Sequence, residues 1–96
     1  MKNQITMPDT AAQYAQSPVF TSATVPKALQ SVHSLKAGTW GRLVVSSGTV
    51  QYFVPGHDEP QAELSAGEVV IVAPEAKHYV KLSEDAVFQI EFWKAA

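Results

Sequence analysis

The chain of 96 residues contains no cysteine. That absence excludes a disulfide framework, a thiolate metal centre and a cysteine nucleophile. Glycine is scarce, at five, and each one stands alone among turn residues, so no phosphate-cradling or dinucleotide-binding glycine loop occurs. No serine sits in a G-x-S-x-G elbow. No apolar run approaches the roughly 20 residues that span a bilayer. The stretch Met1 to Thr10 lacks the apolar run of a secretory signal. The Lys and Arg residues are scattered singly on a chain of formal charge −2, without the basic stripe of a nucleic-acid binder. These absences predict a cytoplasmic protein with neither a nucleic-acid nor a membrane partner.

What remains is the composition of a folded globule, 46% hydrophobic and 17% charged. The length suits one domain whose core is modest, since so short a chain buries only about two thirds of the surface it exposes unfolded. Residues 1–17 are polar and alanine-rich, with Ile5, Met7 and Tyr14 as the only anchors, and read as an N-terminal arm that wanders or packs across a sheet. The domain proper is expected over 18–96. Pro18-Val19-Phe20 is a short extended piece, and Pro26 favours one helical turn at 26–30.

From residue 39 onward, short β runs alternate with turn residues. The expected strands are Trp40 to Ser46, Thr49 to Val54, Gln61 to Leu64, Glu68 to Ala73, Tyr79 to Leu82 and Ala86 to Trp93. The first two read as a hairpin turning near Ser46–Gly48. The near-continuous apolar run of the fourth suggests a strand buried on both faces. Strands recurring at intervals of roughly 8 to 12 residues predict an all-β sandwich or barrel.

Three histidines are present. His57 lies in the Pro-Gly-rich loop beside Asp58 and Glu59 and reads as a solvated loop residue. His33 and His78 each stand where a turn meets a strand, and they can converge if two facing sheets carry them. Two neutral imidazoles and one carboxylate would make an open facial triad for zinc, iron, nickel or manganese. Glu91, set in the apolar strand Phe88-Gln89-Ile90-Glu91-Phe92, is the candidate carboxylate. Its direction is open. If Phe88, Ile90 and Phe92 fill the interior, Glu91 lies outside with Gln89 and Trp93. Lys36, Trp40, Arg42 and Gln89 are the candidate ligand-binding residues, the two cations for an anion near the pocket mouth.

Several ordered blocks carry a family resemblance. Val25-Pro26-x-Ala28-Leu29-x3-His33-x2-Lys36-x-Gly38-Thr39-Trp40-Gly41-x-Leu43-x-Val45-x2-Gly48 resembles the signature of the TehB-like and YeaR-like small cupins of the tellurite-resistance N-terminal domain family. Gly67-x6-Pro74-x3-His78-x-Val80 and Phe88-Gln89-Ile90-Glu91-Phe92 resemble its later parts. The match runs over about residues 17–93. It implies a double-stranded β-helix (cupin) barrel, jelly-roll-like, with a metal held by His33, His78 and Glu91 and with a homodimer as the assembly. Leu35 stands where larger cupins place a second histidine, and Gly38 to Arg42 supplies no acid, so their four-ligand site cannot form. In longer relatives the module precedes a methyltransferase domain.

Three functions follow as expectations. The first is a metal-binding small cupin that captures a small molecule or oxyanion, linked to tellurite or other stress resistance. The second is a metal-dependent enzyme, oxygenase- or hydrolase-like, acting on a small substrate. The third is a metal-free structural or interaction module whose histidines only hydrogen-bond.

Overall fold

In the long strand β3 (Thr39–Ser47), Thr39, Gly41, Leu43 and Val45 are buried while Trp40, Arg42 and Val44 are half-exposed. That is the period-two pattern of a strand with one face on a core. The computed structural model, which describes residues 5–95, builds two antiparallel sheets around this strand. The other elements are β1 (Ala12–Gln16), β2 (Phe20–Thr21), α1 (Lys27–Gln30), β4 (Val50–Phe53), β5 (Ala62–Leu64), β6 (Val69–Val72), β7 (Tyr79–Leu82) and β8 (Val87–Lys94). One sheet has the order β1-β8-β3-β6, with β2 also paired to β8, and the other has the order β5-β4-β7. The all-β expectation is correct. A closed barrel is not formed, because the edge strands β5 and β6 are not hydrogen-bonded to each other and the sheets part along that side.

Two local expectations need correction. Strands β3 and β4 are not a hairpin, since they lie in different sheets. The chain crosses from one sheet to the other at Gly48, whose φ of +66° is one that side chains other than hydrogen rarely tolerate. The apolar run around β6 is not buried on both faces either. It is an edge strand with Val69 38% exposed, and only Val72 is fully buried. Ile5 and Thr6 line a cleft together with Val69, Val70 and Ile71, and Met7 borders another pocket with Ile71.

These residues belong to the stretch read as an arm. Residues 12–16 form β1 on the edge of the larger sheet, and Met7, Pro8 and Ala11 border an open pocket together with Arg42, Glu91 and Trp93. Residues 1–4 lie outside the described residues. The helical turn expected after Pro26 is α1, which packs against β7 through Leu29.

The core lies between the sheets, where Phe88, Val45 and Val50 are fully inaccessible and Leu43, Tyr52, Leu64, Val72 and Val80 surround them. Each large apolar side chain buried this way contributes about 1.5–3 kcal/mol. No helix among the described residues is long and apolar enough to cross a membrane.

Candidate functional site

His33 follows α1, and His78 immediately precedes β7. An isolated antiparallel bridge joins them, each N–H donating to the other's carbonyl at 2.9 Å. This pairing sets the rings side by side, their centroids 4.1 Å apart in an edge-to-face arrangement. Each imidazole is locked in the same way. Nδ1 of His33 lies 2.8 Å from the Ser31 carbonyl, and Nδ1 of His78 lies 2.8 Å from the Ala76 carbonyl. A carbonyl only accepts, so both Nδ1 atoms carry the proton and donate it. In the neutral rings, Nε2 is then left with a lone pair. Tyr52 stacks on His78 from the second sheet, with ring centroids 5.3 Å apart and 27° between the planes.

Both imidazoles border a cavity of about 140 Å³ between the sheets, walled by apolar side chains that include Leu29, Leu43, Val72, Phe88 and Phe92. His78 is only 4% exposed, and burial pushes its pKa below the usual 6.5; its hydrogen bond to Ala76 opposes that shift and the neighbouring His33 adds to it. A basic group with a depressed folded pKa takes up protons more readily when unfolded. Stability should therefore be full above pH 6.5, the unfolded value, and decline as the pH falls from there toward the lower folded value. Thermal melts between pH 8 and pH 5 should show Tm falling over the acid half, and His78→Gln should flatten that slope. A slope that persists in the variant would assign it to other groups.

The expected metal triad is not assembled. The alternation of β8 sends Phe88, Ile90 and Phe92 to the histidine cavity, and Glu91 to the opposite face of the sheet. There Glu91 accepts from Arg42 Nη1 at 3.1 Å on both oxygens and from Trp93 Nε1 at 3.0 Å. Arg42 and Glu91 stand directly across from each other on β3 and β8, so register alone makes the pair. Among the described residues no three His, Asp or Glu side chains converge as a metal-binding group. An acid in an apolar strand suggested coordination, but a cross-strand arginine satisfies it instead.

The other candidates are also placed away from the cavity. Gln89 donates from Nε2 to the Ser17 carbonyl at 2.8 Å, Trp40 stands opposite Trp93, and Lys36 is exposed. His57 is exposed in its loop. Sequence reasoning did not single out Leu29, Leu35 or Phe92 as cavity walls. The inward parity of β8 was a signal for Phe92, but nothing local marks the other two.

The profile of the TehB-like domain matches residues 15–90. The chain belongs to the TehB-like domain family. Two curated relatives in this family, from two strains of Haemophilus influenzae, are each named "Probable S-adenosyl-L-methionine-dependent methyltransferase TehB". Each is 32% identical over 85 residues, which cover 83% of this chain and 30% of the relative. The chain thus spans about a third of their length. The crystal structure of TehB from H. influenzae aligns with a TM-score of 0.77 at 29% identity, over 93% of this chain and 33% of that one. A crystal structure of a protein from E. coli strain K12 aligns with a TM-score of 0.83 at 24% identity, over 97% of this chain and 99% of that one, and shares the fold.

These findings overturn the expected metal-binding small cupin and its divalent metal cofactor. The curated relatives are named for S-adenosylmethionine, and the expected third ligand faces the wrong side of the sheet. The residues described do not fit S-adenosylmethionine either. The histidine cavity, at about 140 Å³, falls below the ~300 Å³ where drug-sized ligand pockets begin. A wider cleft of about 670 Å³ between β5 and β6 has, among its described lining residues, no carboxylate to meet an ammonium, a sulfonium or a ribose diol, and it adds the like charge of Lys77.

Proposed function

We propose that this TehB-like domain serves S-adenosylmethionine-dependent methyl transfer as the module that holds the methyl acceptor. The acceptor is a small neutral molecule with an apolar body and one hydrogen-bond donor, seated in the cavity beneath His33 and His78. The names and partial coverage of the TehB relatives support the first part, since the matched region is a minor portion of proteins named as methyltransferases. The observation that carries the second is an apolar cavity whose polar groups are two carbonyl-locked imidazoles.

The chemistry of the lining selects the ligand. Apolar cavities of this size stay dry and accept molecules as small as benzene. His78 is disfavoured as a cation, so its Nε2 presents a lone pair that an O–H, N–H or S–H of the ligand can satisfy. An oxyanion would find no cation in the lining. The finer placement among YeaR-like small cupins belongs to this proposal and is supported by the bridged pair His33 and His78 bordering a cavity between the sheets.

Phenol, benzoate and S-adenosylmethionine, each titrated into the labelled chain and followed by amide NMR, test the reading. Phenol should shift the amides around Leu29, Val72 and Phe92 with roughly millimolar affinity, the scale for seven heavy atoms. Benzoate and S-adenosylmethionine should not, and Leu29→Trp should abolish the phenol response by filling the space. Saturable binding of S-adenosylmethionine to the chain alone, or a phenol response that survives Leu29→Trp, would overturn it.

The homodimer enters as a further part of the proposal, supported by the half-exposed Trp40, Val44 and Trp93 on the outer face of the larger sheet. Sedimentation at micromolar concentration should then report twice the 10.4 kDa of the chain. A single species at the chain mass would remove it.

A further inference from the structure

The cleft between β5 and β6 is separate from the histidine cavity and opens where the two sheets fail to close. Its walls are largely apolar, with Val54 and Ala62 from the smaller sheet facing Val69 and Val70 from the larger. At about 670 Å³ it lies within the ~300–1,000 Å³ of small-molecule sites. Its polar side chains are few: the Tyr52 phenol, the Gln61 amide, Thr6 and the Lys77 ammonium.

Lys77 is the one formal charge among the described lining residues, and no described carboxylate pairs with it. The backbones of Tyr52 and Gln61 are joined, Gln61 N–H donating to the Tyr52 carbonyl at 2.8 Å, and both residues line the cleft. Burial pushes the Tyr52 phenol up to about 12, so it stays protonated and keeps a proton to donate. An ammonium, a phenol and an amide at an apolar cleft make a donor set without a balancing acid.

We propose that this cleft is a second ligand site, taking a small amphiphile whose apolar body lies between β5 and β6 and whose single carboxylate is met by Lys77. A cationic head would face like charge, and a neutral head would leave the ammonium unused. The apolar walls match an alkyl or aryl body and offer no second charge for a dianion.

Three probes sharing one chain length separate the terms: octanoate, octanol and octylammonium, each added to the full chain below its aggregation threshold and followed by amide NMR. Octanoate should shift Val54, Ala62, Val70 and Lys77 and saturate. Octanol should bind roughly tenfold more weakly, the scale of one charge-assisted hydrogen bond, and octylammonium more weakly still. Lys77 is exposed, so Lys77→Glu should leave the thermal melt unchanged while lowering octanoate affinity by a similar factor and improving that of octylammonium. Equal affinity for octanoate and octanol, or no loss in Lys77→Glu, would overturn the proposal. Shifts centred on Leu29 and Phe92 would place the ligand in the histidine cavity and overturn it as well. The phenol titration rests on different residues, so either site can fail alone.

Discussion

Replacing Phe88 with alanine is expected to lower stability by about 3–5 kcal/mol, the cost of removing a buried aromatic and leaving a void. Phe88 is 0% exposed, sits on the central pair β3–β8, packs its ring 5.6 Å from that of Phe20 and walls the histidine cavity. Domains of this length carry about 5–14 kcal/mol in all, so the loss takes a large share of a modest reserve. Urea denaturation should show a large drop in midpoint with the slope unchanged, the mark of lost stability without a changed unfolded state. The variant also joins a new void to an existing one. Benzene, too small to need the polar groups, should then stabilise Phe88→Ala more than the parent, by an amount that rises with the logarithm of one plus ligand concentration over Kd. A midpoint shift worth less than about 1 kcal/mol, the scale of a single methyl deletion, would mean that this face of β8 is not the core.

The same parity explains what could be read from the sequence and what could not. Strand β7 falls on the expected Tyr79–Leu82, and β3, β4, β6 and β8 fall within two residues of their expected ends, because period-two patterning and turn residues are local signals. Pairing is not local. Nothing in Ser46–Gly48 distinguishes a hairpin turn from a crossing between sheets; only the partners of β4, which are β5 and β7, decide it. The strand β1 was missed because Ala12–Gln16 is polar and exposed throughout, and it is held by the edge of β8 with no burial pattern of its own.

The sequence allows His33 and His78 to converge from two facing sheets; they lie together through a backbone bridge between the segment after α1 and the residue before β7. Glu91 was assigned to them on the cost of a carboxylate in an apolar strand. That cost is real, but it is met on the other face by Arg42 and the Trp93 indole. Choosing between the faces required knowing which side the core lay on. Phe88 at 0% exposed settles that, and with it the direction of every residue from Val87 to Trp93.

Gly48→Ala is the second substitution expected to be severe, although it adds one methyl group. Two penalties coincide. The residue holds φ at +66°, a conformation that costs an L side chain about 1–2 kcal/mol. An added Cβ would also lie 2.6 Å from the Ala86 nitrogen and 2.7 Å from both Ala86 Cα and Asp85 C, all backbone atoms that cannot rotate away. The turn before β4 and the turn before β8 are tied together at this place. Ser47 Oγ donates to the Asp85 carbonyl at 3.0 Å, Thr49 N–H donates to Ser83 Oγ at 2.9 Å, and Ser83 N–H donates to the Thr49 carbonyl at 2.9 Å. Relief of the overlap must separate the turns and break these bonds, or drag the start of β8 and the buried Ala86 with it. Overpacking of this kind costs about 1–3 kcal/mol, so the total comes to roughly 2–5 kcal/mol. Amide exchange should report the damage locally, with lost protection at Ser83 and Thr49 before β1 is affected. An alanine variant that melts within a degree of the parent would show that the turns separate freely, and the crossing at Gly48 would then not be what holds the two sheets in register.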